Sequence, residues 1–310
     1  MGSRDCGSRH CGSRQYGVIV AALLLIGLAP GRSAGEAVRP EPGQVVPGQV
    51  VPGHVVPGKV VATYDATLAG LSLGTFEVTA TIEGSAYEMT ADGRFSLLAG
   101  LLFSATAKTT SSGTLTQAAP QPATFTLDYD GGKKREKRRL RFTRGAVSEI
   151  RIVPHKKKKN PRHIPVSAEQ LEDVLDPLTA AFLAVRSDAP AGDLEVCRQT
   201  IPVFDGKQRF DLVLTPKRSE RLGDGAPNGL SGPVAVCRVR YKPIAGHRTD
   251  HPGVKFMSKT DEIEAWLVPV PRTGLYFPYK ILVPTGWGSG SVTLTGIKAK
   301  RGERQRASVP

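Results

Sequence analysis

Beyond its N-terminal segment the chain holds no run of about 18 apolar residues, so no internal transmembrane helix can be built from it. HExxH is absent, and so is a GxxxxGK[ST] phosphate loop, which removes two common signatures of zinc peptidases and nucleotide-binding enzymes. Cysteine is scarce: four in 310 residues, with Cys6 and Cys11 close to the N-terminus. No recognisable DNA- or RNA-binding motif accompanies the net charge of +14, which leaves nucleic acid disfavoured as a partner. Glycine (34) and proline (24) are plentiful and call for many turns, yet their share stays below the range of disordered chains.

Residues 1–37 read as a secretory signal peptide. Arg4, Arg9 and Arg14 precede an apolar core from Val18 to Ala29, and Gly35 and Ala37 suit the positions before a cleavage site. A core of about a dozen residues is short for a bilayer, which favours cleavage over an anchor helix. Export to the periplasm is therefore expected. It would remove Cys6 and Cys11 and leave Cys197 and Cys237 as the mature pair. In an oxidising compartment such a pair favours one disulfide over free thiols or a zinc site. Closing a loop of 40 residues corresponds to roughly 4 kcal/mol on the chain-entropy estimate.

Residues 38–59 hold a valine-proline-glycine repeat with Pro-Gly type II turn signals, which reads as a tether. A single domain is expected over 60–298, followed by a basic tail at 299–310. Within the domain apolar residues alternate with polar ones: Phe76, Val78, Ala80 and Ile82; Phe125, Leu127 and Tyr129; Phe210, Leu212 and Leu214; Phe277, Tyr279, Ile281 and Val283. Asp130-Gly131-Gly132 and Asp205-Gly206 mark turns between such runs. This period of two predicts antiparallel strands with one covered face: a mostly β fold, as a curled antiparallel sheet or an open half-barrel. One stretch, roughly 167–186, breaks the rhythm. Ser167 to Gln170 has capping-box spacing, and Asp176-Pro177 predicts an N-cap followed by proline in the first turn. One or two short helices are expected there.

Charge is concentrated. Residues 131–163 carry seven lysines and seven arginines against two glutamates, a net +12. Lys133, Lys134, Arg135, Lys137, Arg138 and Arg139 belong to a predicted hairpin arm with solvated side chains; Lys156, Lys157, Lys158 and Lys159 belong to a predicted exposed loop. Both runs suit either an edge-protecting face or an anionic-surface site. His247 and His251 have i,i+4 spacing, but flanking Gly246, Pro252 and Gly253 favour a solvated loop over a helical metal pair. No metal, cofactor or catalytic residue is nominated.

The runs Cys197–Leu214 (CRQTIPVFDGKQRFDLVL), Ser231–His247 (SGPVAVCRVRYKPIAGH) and Glu264–Val270 (EAWLVPV) resemble the exported bacterial family called domain of unknown function 3108. Ala69–Val78 and Asp176-Pro177-Leu178 resemble it less specifically. The resemblance implies a periplasmic, mostly β protein related in shape to lipoprotein-carrier half-barrels, and it implies no catalytic residues. A half-covered antiparallel sheet that curls has a concave apolar face needing a lid, a ligand or a partner, so a non-enzymatic protein is expected, binding an apolar or lipid-like ligand or an envelope partner on a face lined by Phe76, Val78, Phe103, Phe125, Trp266, Phe277 and Tyr279. The alternative is a structural or assembly factor that docks on anionic envelope surfaces through 131–163.

Overall fold

The computed structural model describes residues 58–97, 103–132, 134–154, 162–223, 225–227, 230–270, 275–286 and 288–301. The expected signal peptide, most of the repeat, Lys133 and Lys156–Lys159 lie outside them. Seven strands come first: β1 (Gly58–Leu68), β2 (Leu71–Glu83), β3 (Ala86–Leu97), β4 (Phe103–Leu115), β5 (Pro120–Asp130), β6 (Arg135–Thr143) and β7 (Ala146–Val153). A connection with helix α1 (Pro177–Phe182) leads to β8 (Gln199–Phe204), β9 (Arg209–Leu222) and β10 (Gly232–Ala245). Helix α2 (Pro252–Lys259), β11 (Ile263–Pro269), β12 (Tyr276–Thr285) and β13 (Gly288–Arg301) complete the chain. Among the described residues no helix is long and apolar enough to cross a membrane.

All 13 strands form one antiparallel sheet in the order β7-β6-β5-β4-β3-β2-β1-β13-β12-β11-β10-β9-β8. Two meanders thus meet at β1–β13, where Gly58 pairs with Arg301 and Tyr64 with Leu294. Gly58 and Lys59, read from the sequence as linker, and Ala299 to Arg301, read as tail, are part of this ladder. Except for β1–β13, every pairing joins strands that follow one another in the chain, and alternation of apolar and polar residues fixes which face each strand covers. At the β6–β7 corner Arg144 (φ 52°) and Gly145 (φ 81°) both adopt positive φ, the backbone of a tight hairpin turn.

The sheet curls until its ends approach. The chain leaving β7 returns through residues 172–175, which touch both edges: Glu172 bridges to Ala146 of β7, and Leu175 bridges to Val203 of β8. The Leu175 N–H donates to the Pro202 carbonyl, and the Phe204 N–H donates to the Leu175 carbonyl, both at 2.9 Å. A stitched seam therefore replaces a direct β7–β8 ladder.

Helices form where cap chemistry predicts, and in one further place. Asp176 caps α1 and proline occupies its first turn. Gln170 Oε1 accepts the Ser167 N–H at 3.1 Å as the capping-box spacing requires, but the element that follows is a short 3₁₀ turn, Glu169–Leu171. The expectation of a solvated loop around the histidines is corrected. His251 caps α2 by accepting the Val254 N–H on Nδ1, with Pro252 in the first turn, and His247 is buried. Proline, read as a helix breaker there, is the residue that starts the helix.

Two apolar clusters result. One joins β1–β6 to α1 and includes Tyr64, Met89, Phe125, Leu140 and Leu178. The other covers β8–β12 and includes Val196, Cys197, Phe210, Cys237 and Tyr241. Within the second, Cys197 and Cys237 are joined by a disulfide with Cα atoms 5.2 Å apart.

Candidate functional site

The concave side of the sheet is occupied by the protein's own helix. The Asp176 carboxylate, fully buried, anchors it. Oδ1 accepts the Leu178 and Thr179 N–H groups at 3.0 Å, while Oδ2 accepts the Thr179 hydroxyl at 2.6 Å and the Ser111 hydroxyl of β4 at 2.9 Å. Tyr87 of β3 extends the set through its hydroxyl contact with Thr179 Oγ1 at 2.9 Å. An N-cap has thus been turned into a tie between α1 and two strands of the opposite wall. The Ser111 and Thr179 hydroxyls are committed to Asp176 and the Tyr87 hydroxyl to Thr179, all three residues are buried, and together they hold α1 in place.

Burial pushes the Asp176 carboxyl up, against the hydrogen bonds from Thr179, Ser111 and Leu178 that pull it down. A folded pKa above the unfolded value favours the fold most at pH below the unfolded value, and that contribution is lost as pH rises through the folded value. Asp176→Ala leaves two helix N–H groups without an acceptor and should cost about 2–3 kcal/mol in urea unfolding. Asp176→Asn keeps the cap acceptor and offers an NH₂ to hydroxyls that can accept. It should retain most of the stability and flatten the pH slope; equal losses for both variants would refute this account.

Six of the residues expected to line an apolar site converge on the first cluster. Val78, Phe125 and Phe277 are buried there, and Phe76, Trp266 and Tyr279 pack against it half-buried. Phe76 stacks on Tyr64 with ring centroids 5.1 Å apart, and Tyr64 meets Phe182 of α1 edge-on at 5.8 Å. Phe103 opens β4, and its side chain is outside the described set. Trp266 differs from the others. Its Nε1 donates to Glu264, and Arg218 and Lys280 lie over its ring at 5.4 and 5.5 Å. Hydrogen bonding from Arg218 outweighs burial and leaves Glu264 at about 2.

The basic segment divides by face. On β6, Arg135, Lys137, Arg139 and Arg141 are exposed, whereas Glu136, Arg138, Leu140 and Phe142 are buried. Arg138 therefore corrects the expectation of a solvated arm: it is 4% exposed and cannot present its charge to a surface. Its Nε donates to Glu136 at 2.6 Å, and its Nη1 donates to the carbonyl and carboxylate of Asp205 at 2.8 and 2.9 Å. Lys207 pairs with the other Glu136 oxygen. This cluster joins β6 to the β8–β9 turn, so it holds the curled sheet across its seam. Burial pushes the Glu136 carboxyl up, but the hydrogen bond from Lys207 and the charge of Arg138 leave it at about 2.

On the outer face, Arg135 pairs with Asp130, Lys137 with Asp128 and Arg141 with Glu149, all with exposed partners. Lys134 closes the preceding turn by accepting the Gly131 N–H on its carbonyl. Arg144, on the β6–β7 corner, and Arg151, on β7, are exposed cations beside the strip.

At the end of the sheet holding the β2–β3, β4–β5 and β6–β7 turns, a cleft of about 510 Å³ opens, walled by Glu83, Glu88, Ser112, Gln121 and Arg144 with Tyr87 and Phe142 inside. Its mixed lining nominates no single ligand class. Gly70-Leu71-Ser72-Leu73-Gly74 has G-x-S-x-G spacing. A nucleophile elbow needs that motif between a strand and a helix, whereas here it leads from the β1–β2 turn into β2, with Ser72 opposite Thr67. A second match, Gly31 to Gly35, lies outside the described residues. Among the described residues no group of three metal-ligating side chains converges.

No curated protein matches the chain. Among solved structures, a β-barrel-like protein of domain of unknown function DUF1849 from Brucella abortus is similar at 12% identity and a TM-score of 0.42, over 79% of this chain and 99% of its own. The family model described as protein of unknown function (DUF3108) matches residues 63–295, from β1 to β13, and the chain belongs to that family.

Proposed function

We propose that the protein is a non-enzymatic component of the bacterial envelope, exported to the periplasm, that docks on anionic surfaces through the outer face of β6. The observation that carries this reading is the division of β6: four cations at every second position face solvent over a face sealed by Leu140 and Phe142. The neighbouring loop adds Lys156 to Lys159 in sequence. Each basic residue near an anionic bilayer contributes on the order of 1 kcal/mol, and the three ion-paired cations of the strip contribute less than Arg139. The apolar-ligand reading is weaker on geometry, because α1, anchored by Asp176, packs against β4, β8 and β12 and a ligand at that place would have to displace it.

Co-sedimentation with phosphatidylglycerol-containing vesicles, against phosphatidylcholine vesicles, tests the proposal across a salt series. Binding should require the anionic lipid, fall with salt, and drop at least about tenfold when Arg135, Lys137, Arg139 and Arg141 are changed to glutamine. Equal binding to both vesicle types, or binding unchanged in the glutamine variant, would defeat it. Recovery of a stoichiometric lipid from purified protein would instead support the apolar-ligand reading.

A further inference from the structure

The two edges of the sheet are treated differently by the chain. The β8 edge is covered by Leu175, which hydrogen bonds to Pro202 and Phe204. On the outer edge of β7 the only backbone bridge among the described residues is Ala146 with Glu172, at the strand's first position. Ser148, Glu149, Ile150, Arg151 and Val153 are all exposed, and Ile150 and Val153 are 45% and 48% exposed. An edge strand with free N–H and C=O groups and apolar side chains on view is a template for another strand. The outer face also carries an unrelieved repulsion. Arg151 lies directly opposite Arg139, a like-charge arrangement that destabilises a sheet, and among the described residues neither forms an ion pair.

We infer that β7 pairs antiparallel with β7 of a second copy, about a two-fold axis at Ile150. In that register Ile150 faces Ile150, Glu149 of each copy faces Arg151 of the other, and Ser148 faces Ile152. The row across the joined sheet then reads Arg141, Glu149, Arg151 and Arg139, so each Arg151 gains an acidic neighbour. Shifting the register by two positions in total either way places Glu149 against Glu149 or Arg151 against Arg151, so charge selects the central one. Such an interface is isologous and closes on itself, giving a dimer instead of a filament. Its short paired edge places it among weak, concentration-dependent interfaces. The inference does not depend on membrane docking, since it concerns the edge of β7 and not the face of β6.

Sedimentation equilibrium of the purified protein over a wide concentration range at physiological salt should show a monomer–dimer equilibrium. Arg151→Glu and Glu149→Arg should each weaken it at least about tenfold, equivalent to about 1.4 kcal/mol, because each sets like charges opposite one another. The exchange variant carrying both substitutions should restore association, since the cross-strand pairs re-form with their signs reversed. Thermal unfolding of each variant checks that the monomer is intact. A protein that stays monomeric throughout overturns the inference, as does a dimer that survives both single substitutions or that the exchange variant fails to restore.

Discussion

Replacing Arg138 with alanine should destabilise the protein by about 3–5 kcal/mol, the range for breaking a buried ion pair by deleting one partner. The guanidinium is the centre of the seam cluster, and its removal leaves Asp205 Oδ2 without its ion pair and only Lys207 to answer Glu136, both carboxylates being nearly inaccessible to solvent, while Asp205 Oδ1 keeps the Lys207 and Gln208 N–H groups. Replacing Lys137, its exposed neighbour, should change stability by less than about 1 kcal/mol, because its pair with Asp128 is solvated. The pH dependence carries a sign. The folded Glu136 carboxyl sits at about 2, below its unfolded value, so its contribution is present above the unfolded value and is lost as pH falls from about 4.3 towards about 2. In Arg138→Ala this acid-side loss should shrink, since one of the groups holding the carboxylate down is gone. Urea unfolding of the wild type and both variants at neutral and acid pH reads all of this. A loss below about 1 kcal/mol for Arg138→Ala would show that the seam does not depend on the cluster.

That cluster also marks where the sequence stopped being readable. The alternation at Phe76 to Ile82 and Phe125 to Tyr129 stated the strands and their covered face, and Val78, Phe125 and Leu127 are indeed buried. The cap at Asp176-Pro177 stated the start of α1. Both are local signals, complete within a few residues. Nine residues dominated by cations look like a solvated face and hide Arg138, although the same parity rule places Glu136 and Arg138 beside Leu140 and Phe142. The rule was sufficient, but composition outweighed it. The Asp205 partner was out of reach, because 67 residues separate it from Arg138. Asp205-Gly206 signals the β8–β9 turn locally, while its second role appears only when that turn is brought against β6. Likewise a cap reading of Asp176 accounts for its bonds to Leu178 and Thr179 but not for Ser111, which approaches only once the sheet curls around the helix.

Removing the disulfide should cost about 4 kcal/mol, lowering the unfolding midpoint by about 8–16 °C. The bond closes a loop of 40 residues that contains β8, β9 and the start of β10. It fastens the 3₁₀ turn Leu194–Cys197 onto β10, within the cluster that covers β8–β12. Its loss releases the unfolded chain and also loosens the cover over that end of the sheet, so unfolding should begin there. Cys197→Ala with Cys237→Ala tests the effect without burying hydroxyls, and dithiothreitol applied to the wild type should reproduce it. Hydrogen exchange should show lost protection first in β8 and the 3₁₀ turn Leu194–Cys197, while β2 to β5 stay protected, because their cluster is held by α1. The same bond ties stability to location. A chain that needs this crosslink for a large part of its marginal stability should accumulate where thiols are oxidised, which is what the proposed export to the periplasm would supply. Trapping cellular thiols with an alkylating reagent decides the point: Cys197 and Cys237 should resist modification in the mature protein. If they are alkylated in a stable, abundant pool inside the cytoplasm, the disulfide is dispensable and the proposed compartment is wrong.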